Sequence, residues 1–280
     1  MEQLSQLQAR ISNLHELRDL IRALRALAAA HVKEANVALV GIHRYVDVIA
    51  DACDESACLV SAIDGEMITT AASGGSLLLL VCSEHGFVGS FNERLLDRAE
   101  KELGEGQRLG VIGARGVVLA IERGLQIDWS SPMATRAGGV LTITRPIIDR
   151  LMAIATADIV FAKYRAGGQF DVVKEPLLPL DPTLFIGSEP RNPPLHHLEP
   201  DVMLLRLAEE YLFAEVTRAV MESLTSENAA RLRVMESANH NIEDKLQILG
   251  LQERTSRQEA ITAELLDIVT GAEAVLGQPE

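Results

Sequence analysis

The sequence predicts an α/β architecture in which a very long helix at each end of the chain frames a compact central domain of alternating strands and helices. Three observations carry this expectation. Apolar residues recur at steps of three and four through the first 57 residues, with no proline among them. Between about 75 and 185, five short strand-like runs alternate with helical stretches, the pattern of a mainly parallel sheet. From residue 201 a second proline-free run extends to about 276.

The N-terminal stripe reads Leu4, Leu7, Ile11, Leu14, Leu17, Leu20, Leu24 and Leu27. It continues through Ala28, Val32, Ala35, Leu39, Ile42, Val46 and Ile49, with Gly41 the one weak point. At ~1.5 Å per residue this helix is roughly 85 Å long, too long to pack against a compact domain alone, so it needs a partner helix. Strands are predicted at 76–83, 108–114, 126–130, 158–165 and 170–178, with helices at 89–103, 114–123 and 142–157. Most of the strand runs are continuously apolar, as in a sheet covered on both faces, which makes the domain Rossmann-like. Pro176, Pro179, Pro182, Pro190, Pro193, Pro194 and Pro200 mark its exit.

The C-terminal helix carries a heptad-like seam through Leu232, Met235, Asn239, Ile242, Leu246 and Leu249. The stripe breaks at the polar run 253–259 and restarts out of phase at Ile261, Leu265, Ile268, Ala272 and Val275. This helix is roughly 115 Å long. The two end helices can bury their stripes only on each other, as a long antiparallel two-helix coiled coil. The expected division is 1–70 for the first helix, 71–200 for the α/β domain and 201–280 for the second helix.

Composition narrows the function. A formal net charge of -14 and a pI of about 5.0 argue against nucleic acid, which needs a basic face. Cys53 and Cys58 form a C-x4-C without a second ligand pair at metal spacing, so zinc is not expected and reduced thiols are. The N-terminus has neither an apolar signal core nor the leader of an organelle import signal, and the apolar stretch 77–82 is too short to span a bilayer. A soluble, cytoplasmic chain is expected.

Four constellations invite a sharper reading. Gly110, Gly113 and Gly116 follow a strand and open a helix, but their G-x-x-G-x-x-G spacing departs from G-x-G-x-x-G and no ribose-binding acid follows. A close-packed turn explains them at least as well, and no cofactor is expected. The loop SEHGFVGSFN (83–92) places backbone amides and His85 at a helix start, where an anion would bind, although Glu84 opposes one. Glu84 with His85, and Asp171 with Glu175, have no convergent nucleophile beside them. His196 and His197 lack further metal ligands.

Three segments resemble the gamma subunit of F-type ATP synthases. SENAARLRVMESANHN (226–241) and RQEAITAELLDIVTGAEAV (257–275) are similar to the family's C-terminal signature. ISNLHELRDLIRALRALAAAHVKEA (11–35) is similar to its N-terminal helix, and VCSEHGFVGSFN (81–92) to its loop after the first strand, with Gly86, Gly89 and Asn92 retained. The resemblance implies a non-catalytic central-stalk rotor that couples ion transport to ATP synthesis. Its coiled coil would turn inside a ring of alpha and beta subunits, and its α/β domain would stand on the c-subunit ring beside the epsilon subunit. It also implies that Arg257, Gln258, Thr262 and Glu264 contact the beta subunits, and that Gly86, Gly89 and Asn92 form a structural turn or a partner contact. The location implied is peripheral, on the cytoplasmic face of a bacterial inner membrane. Departures stand at Asp19, His31 and Glu34, where the family favours lysine, and at Glu84, His85, Phe87 and Val88. They fit a divergent ATPase of the same type, primary or second, whose partners changed in compensation. Two alternatives are an NAD-dependent enzyme with a doubly wound domain and a non-rotary coiled-coil scaffold.

Overall fold

The structure, a computed structural model, describes residues 2–59, 74–165, 167–185 and 196–276. Its elements are α1 (Glu2–Ala57), β1 (Ser76–Val81), α2 (Phe91–Glu102), β2 (Arg108–Ile112), α3 (Ala114–Glu122), β3 (Trp129–Ser131), α4 (Val140–Leu151), β4 (Thr156–Arg165), β5 (Gln169–Leu178) and α5 (Pro200–Leu276). The predicted boundary at 70 and 71, and Pro190, Pro193 and Pro194, lie outside the described residues. The chain divides into two compact units, Leu27–Arg233 and Met1–Ala26 with Val234–Glu280.

The larger unit is built on a five-stranded sheet in the order β3-β2-β1-β4-β5. All pairs are parallel except β4 with β5, which form an antiparallel hairpin. The central strand explains why its sequence reads as one apolar run. Leu77, Leu79 and Val81 face a cluster with Ala35 and Leu39 of α1, Ile147 and Leu151 of α4, and Val216, Val220 and Leu224 of α5. Leu78, Leu80 and Cys82 face the opposite cluster, with Leu95 and Leu96 of α2 and Ala120 of α3. A strand with helices on both faces has no polar side to present.

The helix predicted over 142–157 ends at Leu151 instead, and β4 begins at Thr156. Residues from Thr156 onward are held by parallel pairing with β1, beginning at Ser76. Tertiary pairing thus overrides a helical pattern that the sequence alone would extend. The short edge strand β3 sits at Trp129–Ser131, slightly later than predicted.

In the smaller unit the two helix ends run antiparallel. Gln8 bonds Glu253, while Arg22 bonds Asn239 and Glu243. Ile21, Met235 and Ile242 form the buried seam, flanked by Leu14, Leu24, Ala238 and Leu246. Two details of the predicted stripes change. Leu17, Leu20 and Leu27 are exposed, and Arg18 and Ile21 lie on the covered side. Consecutive three-residue steps each fall about 60° short of a turn, so they walk off the seam, whereas alternating steps of four and three hold it. On α5 the covered side does not change phase at 253–259 but continues through half-buried Glu253, Ser256 and Ala260. The apolar residues Ile261, Leu265, Leu266, Ile268 and Val269 are exposed. With Gln8 opposite Glu253, the start of α1 lies close to Glu259, so α5 outruns it by roughly 25 Å.

Candidate functional site

Topology points first to the carboxyl ends of β1 and β4. The chain leaves β1 through β2 to β3 on one side, then returns through α4 to β4 on the other. This is the switch point at which open α/β sheets take ligands. Here it is occupied by α5. Ser223 Oγ donates to the Val81 carbonyl at 3.1 Å and Ser226 Oγ to the Ala162 carbonyl at 2.9 Å. The crevice of a dinucleotide enzyme is filled by the chain's own helix.

The three glycines have a packing cause. A Cβ on Gly110 would stand 2.7 Å from the Trp129 ring, and one on Gly116 would stand 2.2 Å from the Cys82 Cβ. Gly113 has a φ of 102°, and a Cβ there would lie 2.5 Å from the Cys82 carbonyl oxygen. Gly110 leaves room for the Trp129 ring of β3, while Gly113 and Gly116 let α3 close onto the end of β1. The anion position at the start of α3 is also taken. One Glu84 carboxylate oxygen accepts the Ala114 N–H at 3.1 Å and the Met133 N–H at 2.8 Å, a favourable place for a negative side chain.

The 83–92 loop is tied at both ends. Asn92 accepts the Ser83 N–H at 2.9 Å and donates to Ser83 Oγ at 2.8 Å. Ser83 Oγ in turn donates to the His85 carbonyl. From α5, Arg231 donates to the carbonyls of His85 and Gly86. Gly89 takes a left-handed φ of 59°, and Phe87 takes 61° while 69% exposed. Gly86, Gly89 and Asn92 therefore form an ordered turn that lifts an aromatic ring into solvent.

Under that turn α5 buries a polar stripe: Thr217, Arg218, Glu222, Ser223, Thr225, Ser226, Glu227 and Asn228. Arg218 meets Glu175, Glu215 and Glu222, and these carboxylates hold its guanidinium firmly charged against the cost of burial. Glu227 is 3% exposed, and burial raises its carboxyl to about 7 although Arg231 pulls the other way. Sequence reasoning gave Glu222, Glu227 and Arg231 no role. Their signal was polar residues recurring at helical spacing where an apolar face is needed.

The remaining candidates resolve into ion pairs and single hydrogen bonds. Asp171 pairs with Arg165, and Glu175 with Arg218 and Lys163. His196 Nδ1 sits 2.9 Å from the Leu198 carbonyl. Among the described residues, no three His, Cys, Asp or Glu side chains converge as metal ligands. In the smaller unit, Arg257 is 57% exposed at its side chain and donates to Glu253 at 2.6 Å. Gln258 and Glu264 are exposed, and Thr262 Oγ1 caps the Gln258 carbonyl at 2.8 Å. Helical spacing aligns Arg257, Ile261, Glu264 and Ile268, with Gln258, Thr262, Leu265 and Val269 alongside. All four predicted residues are exposed, on a stretch of α5 where Ile261, Leu265, Leu266, Ile268 and Val269 are exposed as well. No described helix is long and apolar enough to cross a membrane.

Comparison with known proteins gives one family, described as ATP synthase, matching residues 3–275. The ATP synthase gamma chain of Geotalea uraniireducens is 27% identical over 99% of this chain and 100% of its own length. That of Rickettsia typhi is 26% identical over 98% and 100%. Among solved structures, a chain from the OSCP/F1/c-ring part of the Euglena gracilis mitochondrial ATP synthase superposes with a TM-score of 0.71 at 14% identity, covering 100% of this chain and 97% of that one.

Proposed function

The chain belongs to the family of ATP synthase gamma chains, and on that premise we propose that it turns inside its complex and performs no chemistry itself. In this reading it is the central-stalk rotor, coupling ion flow through a membrane sector to ATP synthesis or hydrolysis in an alpha–beta ring. The single observation that carries the reading is the free end of α5. Beyond the start of α1 the helix continues as an exposed strip bearing Arg257, Gln258, Thr262 and Glu264 among Ile261, Leu265, Leu266, Ile268 and Val269. An apolar strip rimmed by polar groups marks a protein interface. Loops of the beta subunits supply the partner, and the turn at Gly86, Gly89 and Asn92, with Phe87 at its tip, supplies a further contact. The α/β unit stands on the c-subunit ring beside the epsilon subunit, which places the protein peripherally on the cytoplasmic face of a bacterial inner membrane. The filled switch point supports a non-catalytic role and speaks against the dehydrogenase alternative.

Co-expression with the alpha and beta subunits of its own source tests this. A stoichiometric complex with ATPase activity, together with an isolated chain silent in calorimetry with NAD, NADP and ATP, is the expected result. Failure to assemble, or nucleotide binding by the isolated chain, overturns it.

A further inference from the structure

One buried carboxylate is paired through only one of its two oxygens. Glu227 Oε1 lies 2.6 Å from an Arg231 nitrogen, while Oε2 is shielded from solvent without a hydrogen-bond partner. A shielded carboxylate oxygen with no donor disfavours the charged form. The charged and titratable groups facing it are Arg231 on its own helix, Glu84 from the loop after β1, and the Cys82 thiol at the end of β1. Burial, and to a lesser degree Glu84, oppose ionisation, and Arg231 favours it. The Cys82 thiol is pushed up by burial and by Glu227, so it keeps its own proton throughout. Arg231 is shared. The nitrogen that meets Glu227 also lies 3.3 Å from the carbonyl oxygens of His85 and Gly86, Nε lies 3.3 Å from Gly86, and Nη1 lies 3.2 Å from Asn228 Oδ1.

We propose that Glu227 is a proton-binding site that works the 83–92 loop through Arg231. Ionised, it anchors the guanidinium where that group also grips the two loop carbonyls. Protonated, it releases the anchor, and the loop that displays Phe87 loosens. The proton site is argued from the geometry at Glu227; a bearing of the loop on assembly rests on its partner-facing reading. The group holds its proton up to about pH 7, whereas an ordinary glutamate loses it near 4.5. Between those values the folded chain retains a proton that the unfolded chain has released. Raising the pH through this window therefore lowers global stability, while ionisation near its top tightens this loop. The opposite signs distinguish a latch from general acid softening.

The test uses the full-length chain without partners. Infrared difference spectra between about pH 6 and about pH 8 are expected to show loss of a protonated carboxyl stretch that Glu227→Gln lacks. Hydrogen exchange in peptides spanning 83–92, corrected for intrinsic rates, is expected to slow about threefold or more over the same range in the natural chain and to stay flat in Glu227→Gln. Arg231→Gln is expected to keep the carboxyl signal, shifted to higher pH, and to abolish the loop response. No carboxyl signal assignable to Glu227, or a loop response unchanged in both variants, overturns the proposal. Because neither readout involves alpha or beta subunits, failure to assemble bears only on the rotor reading.

Discussion

Replacing Arg257 and Gln258 together with alanine separates a coupling role from a folding role. The structure sets the cost to folding. Arg257 makes one ion pair, to Glu253 four residues earlier, with over half of its side chain in solvent. Such exposed pairs contribute about 0.3–0.5 kcal/mol. Glu253 keeps its second partner, Gln8 at 3.0 Å, so no carboxylate is stranded. Gln258 is exposed, and alanine's higher helix propensity returns a few tenths of a kcal/mol. The net change in the isolated chain is therefore under about 0.5 kcal/mol by urea unfolding. In a complex assembled with its own alpha and beta subunits, the same variant is expected to lose ATPase rate and ATP-driven ion pumping by about tenfold, the loss of a few interfacial hydrogen bonds. A destabilisation of about 1–3 kcal/mol in the isolated chain would place the pair inside the helix packing. Unchanged hydrolysis and pumping in an intact complex would remove the contact role.

Two further outcomes test the packing arguments. Gly116→Ala places a methyl 2.2 Å from the Cys82 Cβ and is expected to destabilise the larger unit by about 2–3 kcal/mol in denaturant unfolding, the usual cost of overpacking; an unchanged midpoint would reopen the question of why glycine stands there. Asn239→Leu removes a polar layer in which Arg22 bonds Asn239 and Glu243 while Asn239 bonds Glu243. Helicity is expected to stay while spin labels at Gln8 and Glu253 give a broadened distance distribution, since a single polar seam residue fixes register at some cost in stability; a distribution as narrow as the natural one would show that apolar packing sets the register.

The two long helices and the alternating centre were legible because their signals are periodic and local. Leu4 to Leu14 and Met235 to Leu246 repeat at helical steps, and 77–82 is apolar without interruption because both of its faces are covered. What escaped depends on the partner an element finds. Leu17 and Leu20 satisfy a three-residue step yet face solvent, because the opposing helix selects the alternating seam. The end of α4 was set by pairing between Ser76 and Thr156, residues 80 apart in sequence. Of the proposed site, the four C-terminal residues were named through resemblance, whereas the polar stripe at 217–228 was visible without being interpretable. Its serines and glutamates have meaning only against the carbonyls of Val81 and Ala162 and the guanidinium groups of Arg218 and Arg231.

The same geometry shows where divergence from the family is written. Glu84 stands where the resembling loop of the family usually has an aspartate, and in this chain its carboxylate accepts from the Ala114 and Met133 amides. The acidic character of that position thus serves the turn, which constrains its charge more than its length. Asp19 and Glu34, where lysine is usual, behave differently. Both are exposed, and Asp19 is paired only loosely, with Arg18 at 3.4 Å. A charge reversal on an exposed helix position costs the fold almost nothing but inverts the field offered to whatever docks there, where like charges repel and opposite charges select. A net charge of -14 can therefore sit on exposed positions while the loop stays tied through Ser83 and Asn92. The consequence falls on the partners. On the rotor reading, a ring suited to lysines at these positions is expected to be repelled by Asp19 and Glu34, and this chain's own ring to carry compensating positive charge.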